Sequence, residues 1–263
     1  MSNFAVVLGA STGVGAAVAR LLALGNAMNV VGFHRGKHPA EATKLAERIR
    51  ESGIRCDMLT MDVGSSSLAV DQGIGAVKGL LGEQSVKVLV HSLSGASIGN
   101  VLTMAPDKIE KTFNHMAHSF LYWARGLDYH NLLAPNAHII ALTSLAPEFD
   151  IGYTGVIGPA KAALNVYVRQ LAAKLGPKGH RVNAVCFGTV MTPAVKKVAG
   201  PEYVGMLEKV HAAFLPNGRM QEPKDVAPIV CRLAQDGWTN GAIIDATGGL
   251  AFGLLQYAFT HNG

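Results

Sequence analysis

The chain has 263 residues, of which 49% are hydrophobic and 16% are charged. This composition excludes an intrinsically disordered chain and suits one large α/β domain. The formal net charge is +5, but no dense run of Lys and Arg interleaved with aromatic residues is present, so we expect a phosphate-bearing small molecule rather than a nucleic acid as the anionic partner.

Apolar strand-like runs alternate with amphipathic helical patterns along the chain. The predicted strands are Phe4–Leu8, Asn29–Phe33, Cys56–Met61, Val86–His91, His138–Leu142, Arg181–Cys186 and Ala242–Asp245. The predicted helices are Val14–Leu24, Glu41–Ser52, Leu68–Leu81, Lys108–Leu127 and Ala160–Leu175. This alternation predicts a single doubly wound, Rossmann-type domain over residues 1–263, with a parallel sheet of about seven strands and helices on both faces. The segment Pro193–Pro216 lies between the last two strands, and we predict that residues 193–216 form a substrate lid.

The three cysteines, Cys56, Cys186 and Cys231, lie far apart and lack metal-ligand spacing. An odd number of isolated cysteines is typical of a reducing compartment. No apolar run approaches the ~20 residues that span a bilayer, and the first residues lack the basic stretch of a signal peptide. We therefore expect a cytoplasmic protein with no membrane partner.

A glycine-rich segment joins the first predicted strand to the first predicted helix. Gly9 permits a tight turn, Gly13 lets the backbone approach a pyrophosphate, and Gly15 lets the helix pack closely on the sheet. The start of the helix adds unpaired N–H groups and the positive end of its dipole, both of which favour an anion. The predicted contacts of a dinucleotide in this loop are Gly9, Ser11, Thr12, Gly13, Val14 and Gly15.

The end of the second predicted strand indicates which dinucleotide is bound. A carboxylate that bonds the ribose 2′-hydroxyl usually follows about 20 residues after the loop, but His34, Arg35 and Lys37 stand here without an acid. Arg35 suits a 2′-phosphate, which favours NADPH over NADH; the alternative is that Arg35 is only a solvated loop charge. Asp62 and Val63, after the third strand, are expected to hold the adenine.

The spacing of Gly9, Gly13 and Gly15 resembles the cofactor loop of the short-chain dehydrogenase/reductase family. Two further segments resemble that family, the nicotinamide-binding turn at Gly188–Thr192 and the C-terminal signature at Asp245–Gly249. The resemblance covers nearly the whole chain, with the motifs in the right order. Outside the glycine loop, the cofactor contacts that we predict are His34, Arg35, Asp62, Val63, Ser92, Lys161, Gly188, Val190 and Thr192.

The same resemblance implies a catalytic set of Ser144, Tyr153 and Lys161. Hydride transfer builds negative charge on a substrate oxygen, which requires a hydrogen-bond or proton donor. We expect Tyr153 to donate to that oxygen, Lys161 to lower the pKa of the tyrosine and hold the cofactor ribose, and Ser144 to steady the substrate oxygen.

Seven residues separate Tyr153 from Lys161, whereas the family has six. In a regular helix one extra residue turns a side chain by about 100°. We therefore predict that Tyr153 lies on an irregular lead-in and that the helix proper begins near Pro159. The alternative is that Tyr153 is structural; His118 or an ordered water is then the next candidate donor.

Within the family, two stretches resemble the enoyl-thioester reductases of fatty-acid synthesis. Val90–Leu93 resembles their Val-His-Ser-Ile segment, and His115–Leu127 follows the rhythm of their active-site helix. Asn114 lies one position from a structural asparagine of ordinary family members. His115 and His118 are three apart on one helix, but no third ligand has sensible spacing, so we expect no metal.

These observations predict an NADPH-dependent reductase of an enoyl thioester carried on coenzyme A or acyl carrier protein. A 3-oxoacyl or carbonyl reductase on the same scaffold and a non-catalytic NADP-binding regulator remain open. The resemblance also implies a homo-oligomer, either a dimer or a tetramer.

Overall fold

The computed structural model describes residues 3–149, 154–191 and 193–261. Its centre is a parallel seven-stranded sheet in the order β3-β2-β1-β4-β5-β6-β7. The strands are β1 (Phe4–Leu8), β2 (Asn29–His34), β3 (Cys56–Thr60), β4 (Val86–His91), β5 (Leu133–Thr143), β6 (Arg181–Phe187) and β7 (Ile243–Ala246). The strand order reverses between β1 and β4, where open α/β sheets bind their ligands. The predicted doubly wound fold is confirmed.

Helices connect successive strands and cover both faces of the sheet. They are α1 (Gly13–Asn26), α2 (Pro39–Arg50), α3 (Ser67–Leu81), α4 (Pro106–Phe113), α5 (Ser119–Tyr129), α6 (Ile157–Leu175), α7 (Pro193–Phe214), α8 (Pro223–Leu233) and α9 (Leu250–His261). A π-helical segment, Asn114–His118, joins α4 to α5, and a 3₁₀ turn, Gly176–Lys178, follows α6. In the described ranges no helix has the length and apolar character needed to cross a bilayer.

β1 shows why the sheet is central, because all five of its side chains are buried. Phe4, Val6 and Leu8 belong to the apolar core under α3, α5 and α6. Ala5 and Val7 belong to a second core, on the other face, with α1, α2 and α8. Strands covered on both faces are expected to be continuously apolar. This packing fixes the carboxyl edge of the sheet, from which the glycine loop extends.

The predicted helix Lys108–Leu127 is interrupted in the structure. The N–H of Ser119 bonds to the carbonyl of Asn114, five residues back, which is the π-helical pattern. A π-turn takes up one extra residue, and this gives a physical reason for the one-position displacement of Asn114. The periodicity missed the interruption because apolar residues continue through it.

Other differences concern the later part of the chain. The fifth strand begins at Leu133, five residues earlier than predicted, because Leu133 pairs with Val86 of β4. Helices α8 and α9 were not predicted. The predicted lid is largely the 22-residue helix α7, which contains Pro201.

Candidate active site and cofactor site

The glycine loop is closely packed against the neighbouring backbone. Gly9 has φ +88°, and a Cβ there would lie 2.4 Å from the carbonyl oxygen of Ser92. A Cβ on Gly15 would lie 2.1 Å from the carbonyl oxygen of Gly9 and 3.0 Å from Ser92 Oγ. Real side chains never approach so closely, so both positions require glycine. Ser92, the residue after β4, thus packs directly against the loop.

The start of α1 keeps the features of an anion-binding site. Gly13 opens the helix with φ +62°. Thr12 is the N-cap residue, but its side chain makes no capping hydrogen bond. Ser11 is half-buried beside it, whereas Val14 is buried. The N–H groups of the first helical turn therefore depend on another acceptor.

Of the three basic residues predicted to act at the end of β2, Arg35 and Lys37 are free cations in the described part of the chain, whereas the third, His34, is not. His34 is buried; its Nδ1 accepts from the N–H of Gly36 at 3.2 Å, and its Nε2 lies 3.4 Å from Thr60 Oγ1. Burial lowers the pKa of His34, so the ring is neutral at pH 7. Within the described ranges Arg35 has no hydrogen bond or ion pair. His34 therefore holds the turn to Gly36 as a neutral ring, and Arg35 remains the predicted partner of a 2′-phosphate.

Sequence reasoning missed three more cations beside the loop. A cavity of about 280 Å³ between α1 and α2 is lined by Ser11 together with Arg20, Lys44, Arg48 and one acid, Glu41. These charges stand on helix faces that read as ordinary solvated surface, so the local pattern carries no signal of a site. A larger cavity, of about 520 Å³, opens at the amino-terminal edge of the sheet and contains no predicted site residue.

Asp62 and Val63 lie just beyond the end of β3, and one side chain from the π-helical segment and one from α5 bind them. His115 Nε2 lies 2.9 Å from Asp62 Oδ1, and Trp123 Nε1 donates to the carbonyl of Val63 at 3.1 Å. Asp62 is 39% exposed, whereas His115 is only 2% exposed. The carboxylate is thus anchored from the inside and open on the outside. Neither His115 nor Trp123 was assigned this contact from the sequence.

Lys161 is buried where α6 crosses the end of β5. Its Nζ donates to the carbonyl of Leu142 at 2.7 Å. Burial lowers the pKa of Lys161 to about 8. Ser144 lies two residues beyond Leu142, and its Oγ accepts a long contact, 3.4 Å, from the N–H of Ala146. The structure therefore brings the predicted lysine and serine to the same end of the same strand.

Tyr153, the predicted proton donor, and Thr192, a predicted cofactor contact, lie outside the described residues. The lead-in to α6 is irregular, because Gly155 has φ +59° and the helix begins at Ile157, two residues before Pro159. With six residues between it and Lys161, Thr154 stands at the family's tyrosine spacing. Thr154 pairs with Gly99 in an isolated parallel bridge.

His91, at the end of β4, is fully buried beside Lys161. Its Nε2 lies 2.8 Å from Ser119 Oγ, and that hydroxyl donates to the carbonyl of His115 at 3.0 Å. Burial, and then the charge of Lys161, lowers the pKa of His91 to about 3. His91 is therefore a neutral ring that joins the end of β4 to the π-helical segment.

The predicted nicotinamide turn is held by a residue that the sequence did not single out. The amide of Gln221 accepts from the N–H of Gly188 at 2.7 Å through Oε1 and donates to the carbonyl of Ala246 at 2.6 Å through Nε2. Val190 is buried and pairs with Gln221 in a bridge. Gln221 thus fixes the turn after β6 to the end of β7.

His118 contacts aromatic residues and not Lys161, Ser144 or Asp62. Its Nδ1 lies 3.1 Å from the hydroxyl of Tyr167, and its ring packs near Phe113 and Tyr122. His115 instead binds Asp62, so the two histidines do not converge on one point. In the described residues no group of three or more His, Cys, Asp or Glu side chains is arranged to hold a metal ion.

Known proteins match almost the whole chain. Residues 9–251 match a family model described as Enoyl-(Acyl carrier protein) reductase. An uncharacterized oxidoreductase of Methylorubrum extorquens is 31% identical, with 94% of this chain and 96% of that protein covered. Versicolorin reductase stcU of Emericella nidulans is 29% identical, with 93% and 94% covered. An NADPH-dependent aldehyde reductase-like protein of Arabidopsis thaliana is 31% identical, with 93% of each covered.

Solved structures agree on the fold. A short-chain dehydrogenase/reductase from Serratia marcescens superposes with a TM-score of 0.83 at 23% identity, covering 95% of this chain and 98% of that one. A blue fluorescent protein from a metagenomic library, in complex with NADPH, superposes with a TM-score of 0.82 at 24% identity and the same coverage. With the sheet order, the glycine loop and the family match, these results place the chain in the short-chain dehydrogenase/reductase family of oxidoreductases.

Proposed function

We propose that the protein is an NADPH-dependent reductase of an enoyl thioester carried on coenzyme A or acyl carrier protein. The hydrogen bond between His91 Nε2 and Ser119 Oγ, 2.8 Å long and buried, carries this choice. It joins the two stretches, Val90–Leu93 and His115–Leu127, that resemble enoyl reductases. The description of the matched family model supports the same substrate class.

The residues present fit NADPH. Gly13 and the uncapped start of α1 offer backbone N–H groups to a pyrophosphate. Arg35 is free of protein partners in the described ranges, and no acid stands beside it to repel a 2′-phosphate. The relative from Arabidopsis thaliana, whose name includes NADPH dependence, supports the same cofactor.

When bound, NADPH supplies a hydride, and its addition to the β-carbon of an enoyl thioester leaves negative charge on the thioester oxygen. Tyr153 donates a hydrogen bond to that oxygen, and Ser144 steadies it. Lys161 serves both the tyrosine and the cofactor ribose. Burial lowers its pKa to about 8, but this is still above 7, so most of the side chain is cationic at pH 7. The charge stabilises a phenolate, and the ammonium protons bind ribose hydroxyls.

A second candidate is a carbonyl reductase on the same scaffold. The specific observation in its favour is the naming of relatives at 29 and 31% identity as a versicolorin reductase and an aldehyde reductase-like protein. The same donor and lysine would serve a ketone, because charge again develops on an oxygen.

One experiment separates these possibilities. Purified protein is mixed with NADPH and either crotonyl-CoA or acetoacetyl-CoA, and NADPH absorbance is followed. Consumption with the crotonyl thioester supports enoyl reduction, whereas consumption with the acetoacetyl thioester alone supports carbonyl reduction. NADPH binding without consumption in either mixture would contradict both and support the non-catalytic regulator.

We further propose that the α7 region, residues 193–216, closes over the substrate. Val210 of α7 packs with Leu215 and Leu250 in an apolar cluster that is separate from the two cores of the sheet. Pro201 removes a backbone hydrogen bond from the middle of α7. Hydrogen exchange in α7 should slow when NADPH and a substrate analogue are both present; slow exchange in the ligand-free protein would contradict the lid.

We also propose that the protein forms a homo-oligomer through α9. Phe252, Leu255 and Phe259 lie on one side of this helix and are 73, 54 and 77% exposed. Large exposed apolar patches mark association surfaces. Light scattering after size exclusion should give a dimer or tetramer, and Phe259→Ser should lower the mass; a monomer in both cases would contradict the proposal.

A further inference from the structure

The contact between Asp62 and His115 links the adenine end of the expected cofactor site to the helix that follows β4. Asp62 lies two residues beyond the end of β3, and His115 lies 53 positions later. His115 Nε2 is 2.9 Å from Oδ1 and 3.2 Å from Oδ2, so one ring nitrogen bridges both carboxylate oxygens. The contact therefore fixes the plane of the carboxylate as well as its position.

The ring of His115 is held on its other side as well. Its Nδ1 lies 2.9 Å from the carbonyl of Lys111, one helical turn back. Both ring nitrogens thus face oxygen atoms, so the ring is held from two sides. The partner of Nε2 is a carboxylate, and a hydrogen bond to a carboxylate is stronger than one between two neutral groups.

Two glycines make room for this ring. A Cβ on Gly95 would lie 2.3 Å from His115 Cγ, and a Cβ on Gly64 would lie 3.1 Å from His115 Cδ2. The side chain is therefore packed between two backbone segments and has little freedom to move.

The π-helical segment fixes the backbone of the same residue. Because the N–H of Ser119 bonds five residues back, to Asn114, it does not bond to the carbonyl of His115. The hydroxyl of Ser119 instead donates a hydrogen bond to the carbonyl of His115 at 3.0 Å, and its Oγ also lies within hydrogen-bond distance of His91 Nε2. The position of His115 is thus tied to the end of β4.

We infer that His115 is a positioning residue for adenine recognition: it orients the Asp62 carboxylate so that its open side accepts the exocyclic amine of the adenine. Asp62 is 39% exposed, and a carboxylate keeps free lone pairs after one contact. This inference rests on the proposed use of an adenine dinucleotide, but it does not depend on whether the substrate is an enoyl or a carbonyl compound.

The test uses His115→Phe, which keeps a ring between the glycines but removes both ring nitrogens. We expect NADPH to bind roughly tenfold more weakly, the scale of one charge-assisted hydrogen bond. Reduced nicotinamide mononucleotide, which has no adenine, should keep its kcat/KM within about twofold, because transition-state stabilisation at the nicotinamide end is untouched. His118→Phe is the matched control, since its ring contacts Tyr167 instead of Asp62; NADPH binding should not change.

A double-mutant cycle tests whether His115 acts through the carboxylate. In an Asp62→Ala background, His115→Phe should change NADPH affinity by less than about twofold, because the group that it orients is gone. If His115→Phe weakens NADPH binding roughly tenfold in the Asp62→Ala background as well, the inference is overturned. Unchanged NADPH affinity in His115→Phe alone would also overturn it.

The unaltered protein offers a measurement that needs no variant. An NADPH analogue with hypoxanthine in place of adenine lacks the exocyclic amine and presents an acceptor to Asp62. It should bind at least roughly fivefold more weakly than NADPH. Equal binding would overturn the inference even if His115→Phe failed to fold. Binding is measured without substrate, so failure of the proposed reductase activity and failure of this inference remain distinguishable.

Discussion

The glycine loop after β1 and the α7–α9 pair after β6 and β7 are both built around close approaches, but of different kinds. At Gly15 an added methyl group would meet the backbone carbonyl of Gly9 at 2.1 Å. At Gly253, in α9, it would meet the tip of the Leu215 side chain at 2.6 Å. A backbone atom in a packed sheet cannot yield, whereas a leucine methyl can turn aside.

Side chains are also more buried next to the glycine loop than in the α7–α9 pair. Every residue of β1 is buried under the two cores, whereas Phe252 and Phe259 of α9 are largely exposed. The shape of the glycine loop is therefore set by backbone positions, and that of the α7–α9 pair by side chains. Relatives of this chain carry names of different substrates, and side chains that can move aside are a physical means by which a substrate side can vary.

The largest expected effect compares the two glycines directly. Gly15→Ala should lower the free energy of unfolding by about 3 kcal/mol, because the added methyl group forces backbone apart. Gly253→Ala should change it by less than about 1 kcal/mol, since the leucine tip moves and alanine favours the helix. Urea denaturation of both variants is the measurement. Similar losses would remove the distinction between the two regions.

The second prediction tests whether Tyr153, in the segment before α6, is the hydrogen-bond donor to the substrate oxygen. Tyr153→Phe should lower kcat by roughly 100-fold, about 2.7 kcal/mol, with NADPH binding retained. Lys161→Ala should weaken NADPH binding as well as lower kcat, because its proposed roles are two. Thr154→Val is the control, since Thr154 has the family's spacing to Lys161. If only the threonine variant loses activity, the donor role moves by one residue.

The third prediction concerns Lys161, which lies at the end of β5 and belongs to neither region. Its pKa is lowered from 10.5 to about 8, so between these values the unfolded chain binds more protons than the folded one, and stability rises with pH. Relative to Lys161→Met, the free energy of unfolding should rise by about 1.5 kcal/mol from pH 8 to 9.5. Chemical denaturation at several pH values measures it. A flat difference would mean that water reaches the lysine.

The smallest effect tests cofactor choice. NADPH should bind at least about tenfold more tightly than NADH, and Arg35→Ala should erase most of that preference, about 1.4 kcal/mol. Isothermal titration with both cofactors is the measurement. Lys37→Ala is the control, because Lys37 lies two residues further along and is exposed. Equal affinities in the unaltered protein would contradict NADPH preference.

The sequence predicted the regular parts of the fold well. β1 and β4 have the predicted bounds because a fully buried strand is a short apolar run with sharp ends. α9 was missed because it contains no Asp, Glu, Lys or Arg, so it shows no amphipathic pattern. α8 begins at Pro223 with a capping box formed by Glu222 and Asp225, a signal that was present in the sequence but not used.

The sequence by itself determined the glycine loop, the absence of an acid beside Arg35, and the order of the motifs, because each depends on residues close together in the chain. Only the tertiary structure decided that His34 is a neutral part of a turn and that Gln221 secures Gly188. It also decided that His115 meets Asp62. These outcomes depend on burial and on two contacts whose partners are separated by 33 and by 53 positions in the chain. At such separations strand order and helix packing, not the local pattern, determine which side chains meet.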